Sequence, residues 1–259
     1  MNAGSQQFYQ RDLDQTLGNL QRLRRNRNLM LWYQELYREM FRAVPDIAQK
    51  RVLEIGSGTS PLKMFLPSVI TSDVLALEHL SMVFDCHNIA DLSEVTNHSI
   101  DVITLTNVLH HLRDPIHFLR SATRKLAKGG EVFILEPYFS VLSYPLYKLL
   151  HHESVDFNIS RPVLDTASGP LSSSNQAMPH MIFFSRPDWL RELGDCYDLD
   201  ETHVKFFTSL AYMVTGGISR VFPVPHCIYR SYLVLDRFLA RALPKLFASF
   251  FCVRLVAKR

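Results

Sequence analysis

One strand-to-helix turn constrains this chain more than anything else in it. Residues Val52-Leu53-Glu54-Ile55-Gly56-Ser57-Gly58-Thr59-Ser60-Pro61 run from a short apolar stretch ending near an acid, through two glycines at GxG spacing, into a Ser-Pro pair that opens a helix. Glycine lets the backbone turn tightly and lets a ligand approach with no Cβ in the way. The helix start beyond it offers unpaired N–H groups and the positive end of a dipole. With Ser57 inside the turn and the Glu54 carboxylate beside it, the segment predicts a site for an adenosine-type cofactor carrying hydroxyls and a cationic group.

The pattern around the turn sets the fold class. Strand-like runs at 51–55, 69–72, 81–84, 101–106 and 131–135 alternate with helices or turns, notably 61–65 and 115–127. The second helix has Asp114 as N-cap, Pro115 at its first position and Gly129 as its stop. Such alternation implies an α/β fold with a doubly wound, mostly parallel sheet. Ahead of it, 1–45 reads as a helical arm. Its first part, 8–27, is polar, and 28–42 carries Leu29, Trp32, Tyr33, Leu36, Tyr37 and Met40 on one face before Pro45. The rest, 46–259, reads as the main domain: a core at 50–137, an insertion or lid at 137–185 rich in Pro, Ser, His and aromatics, and a final part at 186–259. That final part holds a short helix at 187–193, strands at 201–207 and 249–257, and an apolar helix at 228–243.

Composition removes several classes of function. A chain of 259 residues with 47% hydrophobic content buries a full core. A net charge of +3 is too small to argue for nucleic acid, and the short cluster Arg22 to Arg27 reads as a solvated face. Cys86, Cys196, Cys227 and Cys252 form no CxxC pair and no zinc spacing with the 11 histidines, which points to a reduced, cytoplasmic setting. The polar N-terminus is no secretory signal, and no run is long and apolar enough for a membrane helix.

Further candidates sit at the ends of the predicted strands, where open α/β sheets hold their ligands. Asp73, 19 residues after Glu54, is placed to accept both ribose hydroxyls. Asp85 and Cys86 follow the third strand, where a carboxylate and a backbone N–H read an adenine edge; a capping Asp explains Asp85 equally well. Asn107 to Pro115 follows the fourth strand and carries the adjacent pair His110-His111. A dinucleotide fingerprint wants a third glycine where Pro61 stands, which disfavours a NAD-dependent oxidoreductase.

Taken in order, Glu54–Gly58, Asp73, Asp85, Asn107–Pro115 and Lys128 to Pro137 resemble the successive motifs of class I S-adenosylmethionine-dependent methyltransferases, in particular the type 11 small-molecule group. The resemblance covers roughly residues 50–137. It implies a seven-stranded sheet with a reversed last strand, which the runs at 201–207 and 249–257 suit. It also implies S-adenosylmethionine as cofactor. Glu54, Gly56 and Gly58 then line its methionine and ribose part, Asp73 holds the ribose hydroxyls, Asp85 and Cys86 flank the adenine, and Asn107 sits near the methionine end. Ser60 departs from the pattern, since many members have a third glycine there.

The acceptor side is less legible. His151 and His152 with Glu153 offer a base and an orienting carboxylate in the insertion, with His110 and His111 as the second choice. No carboxylate cluster demands a metal, so a metal-free transfer is expected. The helix at 228–243, with Arg230, Asp236, Arg237 and Arg241 as its few charges, admits three readings: core, a homodimer contact, or a lid against a greasy substrate or membrane surface. The expected function is methylation of a small-molecule hydroxyl, partly apolar, lipid-linked or glycosidic. A non-catalytic cofactor-fold module is the alternative from another class.

Overall fold

A strand such as Val52-Leu53-Glu54-Ile55, with no exposed position, needs a neighbour on each edge and a layer on each face. The computed structural model, which describes residues 3–150, 153–164 and 173–258, supplies all of them. Its strands are β1 (Val52–Ile55), β2 (Ile70–Asp73), β3 (Met82–Val83), β4 (Ile100–Thr106), β5 (Leu126–Pro137), β6 (Tyr197–Phe206) and β7 (Phe250–Ala257). They form one seven-stranded sheet in the order β3-β2-β1-β4-β5-β7-β6. The first five are parallel, and β7 lies antiparallel between β5 and β6. The order reverses at β1 and β4, so a crevice opens beyond the carboxyl ends of those two strands.

The helices are α1 (Ala3–Arg25), α2 (Arg27–Met40), α3 (Leu62–Phe65), α4 (Pro115–Ala122), α5 (Ser143–Leu150), α6 (Ala177–His180), α7 (Pro187–Arg191), α8 (Ala211–Val214), α9 (His226–Ala242) and α10 (Pro244–Phe247). Period-two alternation divides the sheet side chains between two cores. Leu53, Ile103, Val132 and Ile134 pack with Phe118 and Leu119 of α4 and with Trp189 of α7. Val52, Val102, Phe133 and Leu135 pack with Leu29, Trp32, Leu36 and Met40 of α2 and with Tyr229 and Leu233 of α9. The apolar stripe of α2 is thus a core face, as its periodicity implied.

Two local expectations change. The helix opened by Asp114 and Pro115 stops at Ala122, well before Gly129. The next residues turn back, Leu126 pairs with Ile100, and Gly129 takes φ 68° within β5. The apolar helix near the C-terminus is only half core. Tyr229, Leu233, Asp236 and Ala240 face inward, whereas Ile228, Val234, Leu235 and Phe238 are exposed. Among the described residues no helix is long and apolar enough to cross a membrane.

Asp236 is fully buried and acts as a polar anchor. Its carboxylate accepts from Thr208 Oγ1 (2.6 Å) and from the backbone N–H groups of Ser209 (2.9 Å), Leu210 (2.7 Å) and Ala211 (2.9 Å). It therefore holds the segment after β6 in place for α8. Asp236→Ala strands these donors and is expected to cost about 3 kcal/mol or more. Val234→Ser, on the exposed face of the same helix, is expected to stay within about 0.5 kcal/mol. Urea unfolding midpoints of the two variants check the contrast.

Candidate functional site

The Gly turn is a hydrogen-bonded knot before it is a ligand cradle. The Glu54 carboxylate is buried and accepts from Ser57 Oγ (2.8 Å) and Ser60 Oγ (2.5 Å), and Ser60 Oγ also meets the Tyr37 hydroxyl (2.8 Å). Ser57 N–H donates to Ser72 O (2.8 Å), which ties the turn to β2. Burial pushes the Glu54 carboxyl up to about 7, against the lowering effect of the two serine hydroxyls. Ser60, the departure from the three-glycine pattern, is the residue Glu54 grips from the far side of the turn. Glu54 and Ser57 accordingly stand behind the turn, while Gly56, Gly58 and Ser60 line the cavity in front of it.

The glycines matter for a reason beyond ligand approach. Gly56 has φ 73°, and a Cβ there would lie 2.3 Å from Val108 Cγ2. A Cβ on Gly58 would meet Asp73 Oδ2 and Thr16 Cγ2, each at 3.0 Å. Neighbouring side chains already fill the space the missing Cβ atoms leave. Gly58 N–H donates to Asp73 Oδ2 (2.9 Å), and Leu75 N–H to Asp73 Oδ1 (2.9 Å). Burial raises the Asp73 carboxyl, only partly offset by these donors.

Asp73, Asp85, Cys86, Asn107, His110 and His111 all reach the same cavity, of about 1330 Å³, at the carboxyl end of the sheet. Asp85 caps the turn after β3 through His87 N–H (3.0 Å), and its pKa is held down mainly by the His87 ring (2.7 Å). Cys86 is a buried thiol whose pKa burial pushes up, so it is no nucleophile. Asn107 adopts a left-handed backbone (φ 56°), which Asn tolerates, and its buried Oδ1 has no hydrogen-bond partner.

The histidines divide. His151 and His152 lie outside the described residues. His110 is buried, with Nδ1 2.5 Å from Glu136 Oε2 and Nε2 3.1 Å from Glu153 Oε2. Burial alone lowers its pKa, but the Glu136 ion pair and the hydrogen bonds to both carboxylates raise it to about 10. His110 is therefore a cation at neutral pH and is a poor proton acceptor. His111 Nδ1 donates to Ser173 O (3.0 Å), and its Nε2 lies 3.7 Å from Glu153 Oε1.

Sequence reasoning missed two walls of the cavity. Tyr9, Asp12 and Thr16 of α1 roof it, and Ala76 N–H donates to the Tyr9 hydroxyl (2.7 Å). Gly216 to Arg220, after α8, closes the other side and is held to the first two helices through Asn26 Nδ2 to Thr215 O (2.9 Å). Asp12, Thr16 and Asn19, buried together in α1, recur at four- and three-residue steps on one face of the helix, which was the available signal. Tyr147, Tyr212, Phe222 and Phe250 give the cavity an aromatic portion.

The comparisons agree with this architecture. The chain matches the family described as "Methyltransferase domain" over residues 24–213, more than half its length. No curated protein sequence matches it. A SAM-dependent methyltransferase from Archaeoglobus fulgidus superposes with a TM-score of 0.50 at 14% identity, over 86% of this chain and 94% of that one. A second, from Thermotoga maritima, gives 0.50 at 14% identity, over 92% and 98%. These likenesses establish the fold, and the family match establishes the activity, which sets aside the oxidoreductase and the non-catalytic module. With the strand order and the Gly turn in place, the chain belongs to the class I S-adenosylmethionine-dependent methyltransferases and uses S-adenosylmethionine as its methyl donor.

Proposed function

We propose that the enzyme methylates a hydroxyl of a small, partly apolar acceptor, of lipid-linked or glycosidic type. The observation that carries this reading is one cavity whose lining is of two kinds. The Gly turn, Asp73, Asp85 and Asn107 line it, and so do aromatic rings and the His111–Glu153 pair. At about 1330 Å³ it exceeds the roughly 300–1,000 Å³ of a pocket for one small ligand, leaving room for donor and acceptor together.

In this reading Asp73 takes the ribose hydroxyls, Asp85 and the Cys86 segment flank the adenine, and Asn107 sits near the methionine end. Gly56 and Gly58 keep the turn closed, and Glu54 with Ser57 holds it from behind. The cofactor supplies an already activated methyl group. The protein's part is to place an acceptor lone pair in line with it and to exclude water, for which α1 is well placed. As the new O–CH3 bond forms, the S–CH3 bond breaks and its electron pair stays on sulfur. The hydroxyl proton passes to the His111–Glu153 pair, since His110 already holds its protons. The exposed Ile228, Val234, Leu235 and Phe238 on α9 support an acceptor drawn from an apolar surface, and the same face suits a homodimer contact.

Three outcomes test this. Gly56→Ala and Asp73→Asn are each expected to weaken S-adenosylmethionine binding by tenfold or more in calorimetry, since one forces Val108 aside and the other removes a carboxylate charge; unchanged affinity removes their assigned roles. His111→Ala should lower kcat on a hydroxyl acceptor by roughly 10²–10⁴-fold with cofactor affinity retained, as measured by labelled-methyl transfer to fractionated metabolites. Glu54 generates a pH effect. The folded chain keeps this proton to about pH 7, whereas an unperturbed carboxyl loses it near 4.5. The resulting stability is complete below 4.5, falls as pH rises, and is gone above 7. The Tm of the cofactor-free enzyme should therefore decline between about pH 5 and 8, with Glu54→Gln flattening the decline.

A further inference from the structure

Two histidines adjacent in sequence rarely point their rings at one carboxylate. Here they do, because Leu109–His111 forms a single tight helical turn after β4 while the insertion brings Glu153 back over it. His110 Nε2 lies 3.1 Å from Glu153 Oε2, and His111 Nε2 lies 3.7 Å from Glu153 Oε1. Ligand atoms on a tetrahedral ion with bonds of about 2.0–2.1 Å are about 3.3–3.4 Å apart, so the spacing suits a first-row divalent cation.

The groups behind these three are arranged as metal sites require. A ligating histidine almost always donates its other ring N–H to a carboxylate or a backbone carbonyl, which fixes the tautomer and aims the lone pair. His110 Nδ1 does so to Glu136 Oε2 (2.5 Å), and His111 Nδ1 does so to Ser173 O (3.0 Å). Glu153 is oriented in turn by Gln176 Nε2 (2.7 Å). Glu136 is itself fixed by the N–H groups of Val108 (3.0 Å) and Leu109 (2.6 Å).

We propose that His110 Nε2, His111 Nε2 and Glu153 form a binding site for a divalent transition-metal ion, of the Zn²⁺, Fe²⁺ or Mn²⁺ class. Two nitrogens and a carboxylate select that class over Mg²⁺ or Ca²⁺, which prefer all-oxygen shells. All three residues line the cavity, so a bound ion would face it. There the ion would ligate the acceptor oxygen and make its proton easier to lose, in place of proton uptake by His111 and Glu153. That role rests on the hydroxyl reading above, whereas binding of the ion does not. The site runs against the expectation from spacing, because adjacent histidines cannot share an ion from one helix face and here do so only through a tight turn.

The test uses the untagged full chain, freed of metal with a chelator, with no acceptor present. Zn²⁺ is titrated by calorimetry, and Co²⁺ by its visible d–d absorption. One ion per chain is expected, with Co²⁺ bands of a nitrogen–oxygen set. His111→Ala and Glu153→Gln should each weaken binding by roughly 100-fold or more, and Glu136→Gln by about 10–100-fold. S-adenosylmethionine affinity of each variant, measured in parallel, separates a lost ion site from a lost fold. No saturable binding of either ion by the parent enzyme, or binding that survives both ligand substitutions in chains that still bind the cofactor, overturns the proposal and leaves the cluster as an ion-pair lock. Failure of methyl transfer to hydroxyl acceptors bears on the acceptor alone and leaves the ion titration intact.

Discussion

Glu136 is the residue on which the active end of this enzyme hangs. It lies near the end of β5, the last of the parallel strands, has no solvent exposure, and is paired with Phe251 of β7. A carboxylate there must be satisfied completely or it destabilises the core. It is satisfied by two backbone N–H groups of the turn after β4 and by His110. That demand shapes the turn, and the turn fixes Asn107 on one side and His111 on the other. Through His110 the demand passes to Glu153, and so to Gln176 and to Asn175, whose N–H donates to His110 O (2.9 Å). One buried charge thus ties the sheet, the strand-end turn and the described parts of the insertion into one polar unit.

The other half of the site follows the same logic on a different acid. Glu54 is buried at the end of β1 and recruits Ser57 and Ser60, which close the Gly turn around it. Two buried carboxylates, each gripping the loop after its strand, frame the crevice at the point where the strand order reverses. The cavity is therefore shaped from within the core, and α1 and the segment after α8 close it.

Strand runs, the Gly turn, Asp73, the His110-His111 pair and the capped helix at Asp114 were all legible because each is a local pattern. Periodicity, a turn that only glycine permits and an N-cap need no distant partner to be recognised. Boundaries slipped where a long-range contact intervened, as when pairing of Leu126 with Ile100 cut α4 short. Partners were hidden for the same reason. Glu54 read as a ligand contact, whereas in the structure its carboxylate accepts from Ser57 and Ser60 of its own turn, and Tyr37, which meets Ser60, comes from the distant α2. Asp236 read as one charge on an apolar helix, although it anchors the chain after β6 from the core.

By itself the amino-acid order determined the fold class, the cofactor and the set of residues at the strand ends, since those depend on patterns a few residues long. Only the tertiary structure decided which groups each acid and histidine meets. The partners of a buried carboxylate or imidazole depend on burial and on segments that the chain brings together from afar. The opening turn therefore stands as half of the site. Its counterpart is the Glu136–His110–Glu153 cluster, built from three separated segments and visible only once β4, β5 and the insertion are packed together.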